Sequence, residues 1–96
     1  MMPLWKLRSG QFAGWQTADG ELYNPAGKHV GYFVNEIAYT NDGHAVGEVY
    51  GERWIGRRKT LIYPTGRRQA GRSAKAPAPL ADRPGLRLAD WSDPEL

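Results

Sequence analysis

The chain has 96 residues, 12 glycines, no cysteine and a formal net charge of +3. That length holds one domain with a small core, and the missing cysteines exclude disulfide staples, thiolate zinc sites and all cysteine catalysis. The opening stretch MMPLWKLRSGQFAGW lacks the continuous apolar segment of a signal peptide, and no apolar run of about eighteen residues exists to span a membrane. A cytoplasmic protein without membrane association is expected.

Abundant glycine interleaved with aromatic residues predicts short strands and tight turns rather than helices. In chain order, one pattern returns: an apolar residue, an aromatic, a turn ending in glycine, then a second glycine. Leu4-Trp5 leads to Gly10 and Gly14; Leu22-Tyr23 leads to Gly27 and Gly31; Ala38-Tyr39 leads to Gly43 and Gly47. A looser fourth copy runs from Ile62-Tyr63 to Gly66 and Gly71. Asn24-Pro25-Ala26-Gly27 and Asn41-Asp42-Gly43 are turn sequences, because Gly accepts positive φ, Asn and Asp tolerate it, and Pro presets φ. The flanks alternate, so each copy reads as a β-hairpin. A glycine inside a strand marks a bulge or a close backbone approach, so Gly14, Gly31, Gly47 and Gly71 are expected at equivalent places around one axis. One hairpin is marginal in water, whereas four can share a core. The stretch 48–60 is longer than the other connections and is expected to elongate a hairpin or add one, with Trp54-Ile55 as its apolar part.

On LYNPAGKHVGYFVNEIAYTNDGHAVGEVYG and its flanking copies, residues 3 to 71 resemble the bacterial four-fold beta flower domain proteins. The resemblance implies an all-β fold of four β-hairpin repeats around a pseudo-fourfold axis, without an assigned activity and without transferable functional residues. The expected organisation is a flower-like domain over 1–71, followed by a linker and C-terminal tail over 72–96.

Tests for chemistry mostly fail. Gly66 to Ser73 reads G-x-x-x-x-G-R-S, near a phosphate-binding loop, but Arg72 replaces the lysine, and Pro77 and Pro79 exclude the helix such a loop requires. His29 and His44, the two imidazoles, are expected at exposed hairpin positions on opposite faces, unable to share a metal or a proton. No Ser–His–Asp grouping emerges from spacing. The protein is therefore expected to be no enzyme and to carry no cofactor and no metal.

Charge is the one polarised feature. Arg57, Arg58, Lys59, Arg67, Arg68, Arg72 and Lys75 fall within 57–75, which contains no acid. This block is an electrostatic footprint for an acidic protein surface or a phosphate backbone. The tail starts in Pro and Ala, as an extended linker does, and ends with Leu86, Leu88, Trp91 and Leu96 among acids. It either folds back, with Trp91 covering an open side of the flower, or docks on a partner. The function expected is a non-enzymatic interaction module acting through the basic edge and tail, with a protein as first-choice partner. Nucleic acid is the second choice, and a small phage or mobile-element inhibitor of a bacterial defence complex the third. A homodimer through free strand edges is compatible with each.

Overall fold

The computed structural model describes residues 1–72 and 76–96 and is all-β, without a helix among those residues. Eight strands follow in order: β1 (Met2–Lys6), β2 (Phe12–Gln16), β3 (Glu21–Tyr23), β4 (His29–Val34), β5 (Ile37–Thr40), β6 (Ala45–Tyr50), β7 (Trp54–Arg58) and β8 (Trp91–Ser92). Each pairs antiparallel with the next, and parallel pairing of β1 with β7, Trp5 opposite Trp54, closes seven strands into a barrel. Closure leaves β8, paired with β7 alone, as the strand with an unpaired edge among the described residues.

Three hairpins share one register. Leu4 opposes Gly14, Leu22 opposes Gly31, and Ala38 opposes Gly47, each followed by a bulge at the aromatic. One residue past that aromatic, Lys6, Asn24 and Thr40 donate their N–H across the turn to Gln11, Lys28 and His44. The strand glycines are there for contact: a Cβ on Gly14 or Gly31 would lie 1.9 Å from the carbonyl oxygen of Tyr23 or Tyr39, and one on Gly47 2.5 Å from that of Gly56. Leu4, Leu22, Ala38 and Ile55, with Ala13 and Val46, form the inner core. Trp5, Phe12, Trp15 and Tyr23 form a second cluster, against which Trp54 and Ala76 pack.

The expected fourth hairpin over 62–71 is absent. Residues 61–71 form no strand, Ile62 is 93% exposed, and Gly71 does not match the other three glycines. The cause lies one residue past Tyr63. Pro64 has no N–H with which to close the hairpin turn that Lys6, Asn24 and Thr40 close. The long 48–60 connection supplies β7 instead, and Val49 opposite Ile55 repeats the pairing of Gln16 with Leu22 and Phe33 with Ala38.

Residues 59–96, read as far as they are described, form a strap laid on the barrel in reverse order of its hairpins. Gly66 N and Gln69 N donate to Gly43 O and Asn41 O, both at 2.8 Å. Arg72 N donates to His29 Nδ1 at 3.0 Å, and Ala76 packs on Gly27. Ala81 O accepts from Trp5 Nε1 at 2.9 Å, the Asp82 carboxylate accepts from Phe12 N, and Arg83 N donates to Gly10 O. The Asp93 carboxylate accepts from the N–H groups of Arg8 and Ser9 before the chain ends beside the inner face. The tail folds back on the barrel, but Asp90, Asp93 and Glu95, which the folded-back reading set against the basic block, form no ion pair with it among the described residues. Trp91 lies on Gly56, where its ring would be 2.8 Å from a Cβ, and meets Tyr50 edge to face.

Candidate interaction surface

The described members of the basic block lie along β7 and the strap, against successive hairpins, and most of their charge is already engaged. Arg57 donates to Ala45 O at 2.8 Å and stacks over the Tyr63 ring. Arg58 pairs with Glu48 at 2.8 Å and covers the Trp91 ring. Arg67 lies over Tyr32, whose hydroxyl donates to the Arg67 carbonyl. Arg72 reaches Asp19 at 3.2 Å and Glu21 at 3.7 Å. The Arg68–Asp42 pair, at 3.6 Å with side chains 85% and 71% exposed, contributes little in water. Lys59 is exposed and makes no ion pair among the described residues. Lys75 lies outside the described residues. Four of the eight candidate residues, Arg57, Arg58, Arg67 and Trp91, thus pack against aromatic rings and brace the fold.

What projects beyond β7 is apolar. After β7 the chain forms a loop in which Lys59 N donates to Asp90 O at 2.7 Å and Leu61 N to Arg58 O at 3.3 Å. Tyr63 returns to a buried position, where its hydroxyl accepts from Arg58 N at 3.0 Å. Both feet of the loop are fixed, while its tip presents Leu61 and the nearly fully exposed Ile62. The sequence pattern puts Ile62 at the head of a fourth hairpin. The signal against that was Pro64, which cannot serve a ladder.

The anchor Tyr63 also links this loop to pH. Burial pushes its phenol above the ordinary value of 10.0; the Glu48 charge adds to that, while the Arg58 N–H and charge oppose it. A raised folded value means stability is fully present below about pH 10 and is lost as pH climbs through the folded value. Tyr63→Phe should flatten that alkaline decline, as read from urea midpoints between about pH 9 and 11. An unchanged decline would remove Tyr63 from the account.

The imidazole that was expected on the surface is the most buried polar group described. His29 is 3% exposed and Glu21 5%, and His29 Nε2 lies 2.7 Å from Glu21 Oε1. Because Nδ1 accepts from Arg72 N, the network places the ring proton on Nε2, donated to Glu21. Gln69 Nε2 donates to Glu21 Oε1 at 2.9 Å and to Asn41 Oδ1 at 3.2 Å. The Thr17 hydroxyl, then the Arg72 guanidinium, hold the neighbouring Asp19 carboxyl below its usual range. The correction has a cause: Glu21 and His29 come from adjacent strands, and the strap covers them, which no strand pattern reveals. With both ring nitrogens engaged by the protein, the dyad clamps the strap and has no free nitrogen for a substrate proton. Among the described residues no cluster of three or more His, Cys, Asp and Glu could hold a metal.

Comparison of the chain with family profiles, curated proteins and solved structures finds no match.

Proposed function

We propose that the protein is a non-enzymatic interaction module built as a four-petalled β flower, which grips an acidic protein surface with the loop 59–62. The flower reading rests on register. Ile55 sits in the ring of Leu4, Leu22 and Ala38, and the Gly56 carbonyl stands against Gly47 as those of Tyr23 and Tyr39 stand against Gly14 and Gly31. The fourth petal is then β7 completed by β8, with Trp91 in place of the aromatic that Gly56 lacks.

The observation that carries the binding reading is the exposed Ile62, held on a loop with two fixed feet beside Lys59 and the half-exposed Arg58. A bare aliphatic tip flanked by cations fits an apolar pocket with an acidic rim. Nucleic acid suits this surface less, because Arg57, Arg58, Arg67 and Arg72 already face carbonyls, carboxylates or rings. The strap serves this function as a brace, since it holds the loop's foot at Asp90.

Burying one Ile contributes about 1.5–3 kcal/mol, so Ile62→Ser should weaken partner binding about ten- to a hundredfold without lowering thermal stability. Affinity purification from native cells with wild-type and Ile62→Ser chains, followed by titration of the captured partner, measures this. Equal affinity for both chains would overturn the proposal. So would capture of nucleic acid alone, with binding that fades steeply as salt rises.

A further inference from the structure

The two ends of the barrel are finished differently. At the petal end Pro94 is buried against Gly47, and Glu95 and Leu96 border a residual cavity of about 150 Å³. The opposite end is an open concavity of about 480 Å³ whose lining includes Met2, Gln16, Glu36, Val49 and Arg53. That volume lies within the range of small-molecule sites, about 300–1,000 Å³, and barrel mouths are a recurrent place for them.

The starts of the strands supply the lining. Two residues before Leu4, Leu22, Ala38 and Ile55 come Met2, in β1, and Gly20, Glu36 and Arg53, in the turns that precede β3, β5 and β7. The four inner apolar residues therefore make the floor, and these four make the rim. At Gly20 a Cβ would find only the Phe33 carbonyl within 4 Å, at 3.4 Å, which leaves that quarter open. Arg53 is half-buried, and neither its guanidinium nor the carboxylates of Glu36 and Glu52 enter an ion pair among the described residues. The contrast with the engaged arginines of the basic block is direct. Here two anions, Glu36 and Glu52, and one cation, Arg53, border one hollow without an ion pair among them.

The backbone holds the anion there under strain. Asn35 and Glu36 have φ of 50° and 69°, the positive pair of a two-residue hairpin turn, and Glu36 O accepts from Val49 N at 2.8 Å. Gly is the favoured residue at the second position, and a Glu kept in the left-handed region marks a place where the side chain has a use.

We infer that this mouth binds a small zwitterion of the amino-acid class. Arg53 takes its carboxylate, Glu36 takes its ammonium, Gln16 offers an amide to either, and Met2 with Val49 receive an apolar side chain. Such a ligand pairs Arg53 and a glutamate at once, whereas a purely anionic molecule leaves the glutamates, and a purely cationic one Arg53, without a partner.

Titration of free leucine, and separately phenylalanine, into the full chain, followed by amide NMR, tests this. Leucinamide and N-acetylleucine are the arms that remove one charge each. The expected result is saturable shifts at Gln16, Glu36 and Arg53 for either amino acid, with both blocked arms weaker by about tenfold or more. Arg53→Ala should abolish leucine binding with an unchanged melting temperature, because the side chain bonds nothing described in the fold. Absence of shifts for both amino acids at about 50 mM, equal shifts from the blocked forms, or undiminished binding by Arg53→Ala would each overturn the inference. Ile62→Ser should leave the titration untouched, which separates this site from the loop.

Discussion

Gly31→Ala is expected to leave most of the chain unfolded at room temperature. Gly31 does not need a positive φ, so the argument is purely one of space. Its Cβ would stand 1.9 Å from the Tyr39 carbonyl oxygen and 3.0 Å from the carbonyl carbon. Both atoms are β5 backbone, which cannot rotate aside as a side chain can. Relief requires β4 and β5 to part, which breaks the ladder that pairs Tyr32 with Tyr39 and Phe33 with Ala38. Tyr32 and Tyr39 also stack, with ring centres 5.3 Å apart, and their separation loses a further contact. Overpacking costs about 1–3 kcal/mol where side chains can yield, and here they cannot. A domain of this size has a stability of only about 5–10 kcal/mol. Gly51→Ala is the control: its φ of 61° is strained for Ala, but nothing lies within 4 Å of the added carbon. It should cost about 1 kcal/mol. Urea titrations followed by tryptophan fluorescence compare the two. A Gly31→Ala midpoint close to that of Gly51→Ala would show that the barrel can expand around its axis, contrary to the packing described.

The same contact explains what the sequence could and could not disclose. Three of the glycine approaches were legible, because each lies eight or nine residues past its own aromatic within one local repeat. The strands that complete the barrel were not. In β7 the residues opposite Arg57 and Arg58 are Ser92 and Trp91, more than thirty positions away along the chain. No local period spans that interval, so Ile62-Tyr63, which carries the letters of the repeat, was taken for the missing copy. The proline after it was the physical objection. The basic block was legible as composition but not as availability: a run of arginines looks alike whether it faces solvent or, as with Arg57 and Arg67, lies over Tyr63 and Tyr32. The mouth was invisible for another reason. Met2, Glu36 and Arg53 share a rim only because closure of β1 on β7 turns separate strand starts into neighbours.

Glu21→Ala should detach the strap from the barrel before the barrel itself fails. Glu21 Oε1 accepts from His29 Nε2 and Gln69 Nε2, and Oε2 faces the Arg72 guanidinium. Truncation leaves a buried imidazole N–H without an acceptor and the Gln69 amide with Asn41 Oδ1 alone. Leaving a buried donor without its acceptor costs about 1–3 kcal/mol. Those donors can recover water only if the residues over them lift away. The strap from Gly66 to Arg72 is held by three backbone bonds, to Gly43, Asn41 and His29. The barrel strands beneath are secured separately by the inner core. Hydrogen exchange should therefore show the amides of Gly66, Gln69 and Arg72 losing protection, while Gly31, Phe33 and Val49 keep theirs. Glu21→Gln preserves the shape and an acceptor for His29 Nε2–H, so it should retain most of the strap protection. If Glu21→Ala instead lowers protection equally throughout, strap and barrel form a single cooperative unit, and the dyad is part of the core rather than a clamp. If exchange at the strap is unaltered, the network contributes nothing to holding it. The bracing of loop 59–62 would then rest on β8 and Asp90 alone.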